Sequence, residues 1–460
     1  MAHRSMPNAD AAWLHMDRPT NRMVINSVMW SAETIDLDAL RRVLRERLVD
    51  LYPSFRQRAV DKGPLGGAEW EDDPGFDLDL HVHHIALPAP GDRIALEELV
   101  GDLASMPLAR DKPLWDAYLV DGYGSGSALV LRIHHCIADG IALARVMLSL
   151  TDADPLGARH PDPSTGAPAR HGNRLPLLGP LIKTGWDVSS GIVHESADLL
   201  VHPHRVADLA GEGVADARAL AKLLLSPTDP QSAIHGDLGS VERVSWGEPF
   251  DLGEVKAIAK ARDATINDVL VSVVAGALGR YLTDSGERPD EIHAMVPFNL
   301  RPLDEPLAPE LGNRFGLVLL GLPLAIADPV ERLQAVHERM DAIKRSREGA
   351  MSYGILGAMG VTPVAVEGGI IDFFSAKASL VLTNVPGPRQ PVYLAGARVD
   401  GVLAWAPCAG AVSMSVSIFS YAGKVSVGFL VDAGLVPDPA ELVSALDEEL
   451  SLLAAAVTAA

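Results

Sequence analysis

The stretch Leu-Arg-Ile-His-His-Cys-Ile-Ala-Asp-Gly sets His134 and His135 five and four residues ahead of Asp139, which Gly140 follows. An imidazole titrates near neutrality, so a histidine at a strand end beside a turn suits a general base. The apolar run Leu129–Ile133 reads as that strand. Adjacent strand residues point to opposite faces, so the two imidazoles diverge and are poorly placed to share one metal. Asp139 and Gly140 open the next helix, where aspartate serves as an N-cap or first-turn residue. At this spacing Asp139 could orient the ring or hold the turn by a salt bridge. Cys136, whose side chain diverges from His135, is expected to pack as a small apolar residue rather than act as a nucleophile.

Other histidines compete for attention. His81, His83 and His84 fall in His-Val-His-His, and on a strand His81 and His83 would share a face. No spaced Cys or His-Glu-x-x-His helix accompanies them, so no metal is expected. His202 and His204 flank Pro203 and read as an exposed turn. Neither a Gly-x-Ser-x-Gly elbow, nor a P-loop, nor a dinucleotide fingerprint is present.

The elements that must position the motif alternate in type. Helical periodicity covers Leu37–Tyr52, with Arg41, Arg42, Arg45 and Arg47 forming what reads as a solvated face. A strand around 76–88, a helix over 95–108 and strands over 114–122 and 127–135 follow, then a helix over 140–152. Residues 151–180 gather prolines among Gly, Ser and Asp, as a linker does, and a helical stretch runs from Ile192 to Leu225. A second αβ series begins at Glu242, with a helix at Asp268–Leu282 capped by Thr265 or Asn267. The class is α+β, in two mixed halves: 1–150, a linker region 151–235, and 236–460. Ser-Ala-Leu-Val-Leu-Arg-Ile-His-His and Ala-Ser-Leu-Val-Leu-Thr-Asn-Val-Pro are similar strands, one per half, and would meet near a shared interface.

Of 460 residues, 48% are hydrophobic and 22% charged, a globular composition. A formal charge of −21 argues against nucleic acid as a partner, since that needs a concentrated basic surface. Two cysteines, Cys136 and Cys408, form no disulfide framework, and no secretory leader opens the chain, so a cytoplasmic setting is expected. Gly401–Gly423 is uncharged but alternates with period two, as a strand does. Gly349–Val366, uncharged and Gly-rich, reads as an apolar surface or core helix, which leaves room for peripheral contact with a membrane or lipid-droplet surface.

Taken in order, these stretches resemble the bacterial wax ester synthase/diacylglycerol acyltransferase family. That family is part of the group holding chloramphenicol acetyltransferase, plant HxxxD acyltransferases and peptide-synthetase condensation domains. The resemblance covers nearly the whole chain: Asp-Ala-Ala-Trp-Leu-His-Met-Asp at 10–17, Pro113-Leu114-Trp115, the His-His motif, Asn267-Asp268, Leu-Gly-Asn-Arg-Phe-Gly at 311–316, and Leu-Thr-Asn-Val-Pro-Gly-Pro at 382–388.

The resemblance implies two chloramphenicol-acetyltransferase-like halves with a tunnel between them. It implies transfer of a fatty acyl group from acyl-CoA, a co-substrate, to a long-chain alcohol or diacylglycerol, with no cofactor. His135 matches the family's base, and Asp139 is mainly structural, paired with an arginine after the first helix, here Arg56. Asn267, with Thr383 and Asn384 behind it, is the candidate donor to the oxyanion. Many members carry Met-His-Val-Gly where this chain has Met23–Asn26, and that departure leaves the acceptor open. Two other readings are a condensation-type enzyme taking carrier-protein thioesters and a non-catalytic lipid-binding relative.

Overall fold

The computed structural model describes residues 3–63, 67–157, 226–299, 307–345, 352 and 372–459. The expected helix at 192–225, the His202–His204 turn and nearly all of 349–366 lie outside them.

The chain starts with β1 (His3–Ser5), which pairs with β4 (Ala68–Asp72) beside β3 (Gln57–Asp61), and with the short helix α1 (Asn8–Met16). The first large sheet uses β2 (Val24–Ser31), β5 (Val82–Ala86), β6 (Trp115–Tyr123) and β7 (Gly126–His134). Its order is completed by β16 (Gly401–Trp405): β16-β2-β7-β6-β5, while the short strands β8 (Thr151–Asp152), β14 (Tyr393–Leu394) and β15 (Ala397–Arg398) form a small sheet of their own. Every residue of β7 is buried, as an interior strand requires. Around it lie α2 (Leu37–Leu44), α3 (Arg93–Ala104) and α4 (Gly140–Ser149). The predicted helix over 37–52 is α-helical only to Leu44 and continues as a wider turn over Arg45–Val49. Arg47 is not part of a solvated face: it reaches Asp152 at 2.8 Å, both side chains being largely buried.

The second sheet is built from β10 (Phe250–Asp251), β11 (Glu291–Asn299), β12 (Phe315–Pro323), β13 (Leu380–Pro386), β17 (Met414–Tyr421) and β18 (Lys424–Asp432). Its order is β10-β18-β17-β13-β11-β12, with β9 (Glu242–Trp246) also on β18. Helices α5 (Leu252–Ala261), α6 (Ile266–Asp284), α7 (Pro329–Lys344) and α8 (Ala440–Ala459) belong to this half.

Strand alternation divides the second sheet's two faces. Leu380, Leu382, Val416 and Ile418 share a core with the α6 residues Val269, Val273 and Leu278. Met295, Leu317, Leu319 and Val381 instead join the core of the first half. One apolar core therefore runs across the boundary. The chain also crosses back there: β16 pairs antiparallel with β2, setting Gly401 opposite Trp30. A Cβ at Gly401 would fall on the Trp30 indole, so only glycine allows that approach. The two similar strands of the sequence are β7 and β13, each interior to its own sheet. Among the described residues no helix is long and apolar enough to cross a membrane.

Candidate active site

The end of β7 is held on both flanks. The His134 amide donates to Leu114 O at 3.0 Å, and the next amide, of His135, donates to Met23 O at 2.7 Å. Consecutive amides pointing opposite ways is what strand geometry imposes. Leu114 sits in the Pro-Leu-Trp stretch, so that motif helps to anchor the turn. Ile137 N closes the turn on His134 O at 3.0 Å.

The side chains diverge as expected. His134 is sealed: Nδ1 accepts Cys136 N–H at 3.1 Å, which leaves the proton on Nε2, 3.9 Å from Asp17 Oδ2. Burial lowers its pKa. His134, grouped with His135 in the motif as a candidate catalytic residue, instead holds the turn and is not among the residues that line the cavity bordered by His135. His135 lies on the opposite side, its ring stacked on Trp13 with centroids 4.0 Å apart and tilted by 42° against Phe315 at 5.6 Å. Nδ1 is fully buried. That leaves Nε2 as the nitrogen a substrate can reach. Burial, the largest influence, pushes the His135 pKa down to about 4, against the Asp139 charge, its own carbonyl and the Asn313 side chain.

His135 borders a cavity of about 140 Å³. Trp13 and Met16 line it from α1, Met295, Phe315, Leu317 and Val381 from the second sheet, Phe374 from a helical turn, and Ala406 and Val412 from the segment after β16. The walls come from both halves and are almost wholly apolar, so the space suits hydrocarbon beside one titratable nitrogen.

Asp139 caps α4, with Oδ1 accepting Ala142 N–H at 2.8 Å. Its Oδ2 accepts Arg314 N–H, from the other half, at 3.0 Å. Through these two backbone amides Asp139 holds the turn, and its charge acts on the His135 ring. Arg56, expected to pair with it, instead donates Nη1 to Val49 O at 2.6 Å, at the end of the preceding helical turn. Gly140 starts α4, is exposed, and has open space around a Cβ, so neither packing nor backbone demands a glycine there.

Asn267 does not reach the cavity wall among the described residues. Its Oδ1 accepts from Asn384 Nδ2 at 2.7 Å. Asn384 shares its β13 face with Leu380 and Leu382, toward α6, whereas Val381 faces the cavity. The period of the strand thus removes Asn267 and Asn384 from the base. Thr383, on the Val381 side, lies beyond the wall and donates to Val416 O at 3.3 Å. Capping of α6 falls to Thr265, in a capping box with Asp268.

The remaining candidates have structural partners. His81 stacks on Trp115 and bonds its carbonyl at 2.8 Å, while His83 and His84 lie toward Asp116 and Asp121. Cys136 and Cys408 are buried free thiols, pushed well above the usual thiol range by desolvation.

Sequence reasoning missed the residues that hold the base: Asp10, Trp13, Asn313, Arg314 and Phe315. They lie in the Asp-Ala-Ala-Trp and Gly-Asn-Arg-Phe stretches that carried the resemblance. Those stretches were the available signal, but the hydrogen bonds of Asn313 and Arg314 with the motif span 178 and 175 residues of chain and leave no local pattern.

Residues 6–270 match the model of the wax ester synthase/diacylglycerol acyltransferase catalytic domain, and residues 311–454 that of the WS/DGAT C-terminal domain. A Mycobacterium tuberculosis protein named probable diacylglycerol O-acyltransferase is 29% identical over 432 residues, 91% of this chain and 88% of that protein. The solved wax ester synthase/diacylglycerol acyltransferase from Marinobacter aquaeolei VT8 superposes with a TM-score of 0.70 at 20% identity, covering 99% of this chain and 100% of that one. The first condensation domain of the calcium-dependent antibiotic synthetase gives 0.59 at 17% identity, covering 98% and 96%.

Proposed function

This chain belongs to the wax ester synthase/diacylglycerol acyltransferase family, and from that premise we infer that His135 is the base of its acyl transfer. The protein is an acyltransferase of the kind that makes wax ester or triacylglycerol. The observation that carries the role of His135 is its place on the wall of an apolar cavity closed by both halves.

The donor is a fatty acyl-CoA and the acceptor a long-chain alcohol or diacylglycerol. His135 Nε2 takes the proton of the acceptor hydroxyl as its oxygen attacks the thioester carbonyl. The tetrahedral intermediate collapses, the C–S bond breaks, and the imidazolium returns the proton to the departing CoA thiolate. The ester and free CoA are the products, and no acyl-enzyme forms. A buried imidazole is neutral at pH 7, hence always ready to accept a proton. The imidazolium formed during turnover is supported by Asp139 and the His135 carbonyl. Chains entering the cavity gain about 0.8 kcal/mol for each methylene removed from water.

A matrix of acyl-CoAs against alcohols, with thiol release and ester formation both measured, tests this. Equal release of thiol and ester with a long-chain alcohol or diacylglycerol is the expected result. Thiol release without ester, or acylation only from carrier-protein thioesters, overturns it.

A further inference from the structure

Packing holds the His135 ring: its Nδ1 is buried, and Trp13 lies on its face at 4.0 Å and 21°. Phe315 lies 5.9 Å from Trp13 and 5.6 Å from His135, so the three rings form one cluster.

The backbone beneath that ring is fixed from the same helix. Asp10 stands three residues before Trp13, on the same face of α1. Asp10 Oδ1 accepts both Asn313 N–H, at 2.9 Å, and Asn313 Nδ2–H, at 2.8 Å. The other hydrogen of that Nδ2 goes to His135 O at 2.8 Å. Asp10 and Asn313 are 2% and 4% exposed, so water cannot replace either contact.

We propose that α1 is the positioning element of the acyl-transfer site: Trp13 sets the plane of the His135 ring and keeps water from it, and Asp10, through Asn313, fixes the backbone that carries it. The inference rests on His135 as the base. Small displacements of a base cost large factors in rate, because the proton must be met along a hydrogen-bond line. The charged or titratable groups around His135 are Asp139 from α4, His134 from its own strand and Asp10 behind Asn313.

The test measures kcat and KM, and the pH profile of kcat/KM, with palmitoyl-CoA and 1-hexadecanol or dioleoylglycerol. The proteins are wild type, His135→Ala, Trp13→Ala, Trp13→Phe, Asp10→Ala and Asp10→Asn. Trp13→Ala is expected to lower kcat about tenfold or more and to move the acid limb upward, since water then reaches the imidazole. Trp13→Phe, which keeps a stacked ring, recovers most of both. Asp10→Ala lowers kcat at similar KM, and Asp10→Asn, which keeps the accepting oxygen, restores most of it. A Trp13→Ala enzyme with raised KM but an unmoved acid limb makes Trp13 a wall only and overturns the proposal. So does a folded Asp10→Ala enzyme with kcat within about twofold of wild type. If Asp10→Ala fails to fold, the Trp13 pair decides. A wild type without thiol release, or an active His135→Ala, sinks the parent reading and this one with it. An active wild type with unaffected α1 variants sinks this one alone.

Discussion

The Asp139 carboxylate spans the boundary between the halves, one oxygen on Ala142 N–H at 2.8 Å and the other on Arg314 N–H at 3.0 Å. Beside it, Gly312 N–H donates to Ile137 O at 3.2 Å, so the segment after residue 310 is laced along the catalytic turn. The residue next in chain to Arg314 is Phe315, which touches the base. One aspartate therefore joins the start of α4 to a wall of the cavity.

Asp139→Asn keeps a single accepting oxygen and turns an NH2 toward a backbone N–H. Loss of a cap costs about 1 kcal/mol and an orphaned buried amide about 1–3 kcal/mol. Asp139→Asn is expected to lower stability within that range in urea and to lower kcat through the displaced base. A variant as stable and active as wild type would show that the clasp is dispensable.

Acid should act on His135 at lower pH than on an ordinary imidazole. The neutral form is the base, and the folded pKa is about 4, so kcat/KM should hold to about pH 5 and fall below it. Stability follows the same group. The unfolded imidazole binds its proton near 6.5, the native one only near 4, so between these values the unfolded state holds more protons. Acidification from 6.5 to 4 thus destabilises the fold, by on the order of 3 kcal/mol from this residue. His135→Gln removes the effect, and urea titrations at pH 7 and pH 4.5 should show a smaller loss for the variant. An acid limb near pH 6.5 in wild type would mean that water reaches the ring.

How much was legible depended on the range of the interactions. The His-His motif, its strand and the cap on α4 are local, and apolar periodicity with helix-start chemistry located them. The strands read over 114–122 and 127–135 fell on Trp115–Tyr123 and Gly126–His134. Asn267 was misplaced because a helix start and a strand end look equally available in one dimension. Only the pairing of β13 decides that Asn384 turns toward α6. Arg56 failed similarly: its nearest acceptor is the Val49 carbonyl, a local contact that outcompetes a distant carboxylate. Asp10 and Asn313 are 303 residues apart, and nothing in either neighbourhood announces the other.

Cys136 sits between the base and the capping aspartate yet is packing. Its thiol is 0% exposed and pushed well above the usual thiol range, so almost no thiolate exists near pH 8. Iodoacetamide at pH 8 should leave the native enzyme unlabelled and active, and label both cysteines in denaturant. Cys136→Ala should lose stability modestly, as a small cavity does, while still forming ester. An acyl-cysteine adduct by mass spectrometry during turnover would reverse the assignment.

Gly276 lies inside α6, where alanine is favoured over glycine by about 1 kcal/mol on propensity alone. Its surroundings predict the opposite sign. A Cβ there would fall on the Glu449 carboxylate and the Arg332 guanidinium, which are bonded to each other. Both are nearly sealed, at 6% and 4% exposure, and Arg332 also donates to Ser272 O at 3.2 Å and Ile326 O at 3.0 Å. These groups cannot swing aside without leaving buried charge unpaired, and breaking such a pair costs about 3–5 kcal/mol. The electrostatic loss exceeds the propensity gain, so Gly276→Ala should destabilise by roughly 2 kcal/mol or more. Glu449→Ala should do the same, and the double variant should cost less than the sum, because both act on one pair. The site is on the helix side of the second sheet, away from His135, so kcat of the folded fraction should change little in either variant. A Gly276→Ala enzyme that melts higher than wild type would show that the pair relaxes without loss.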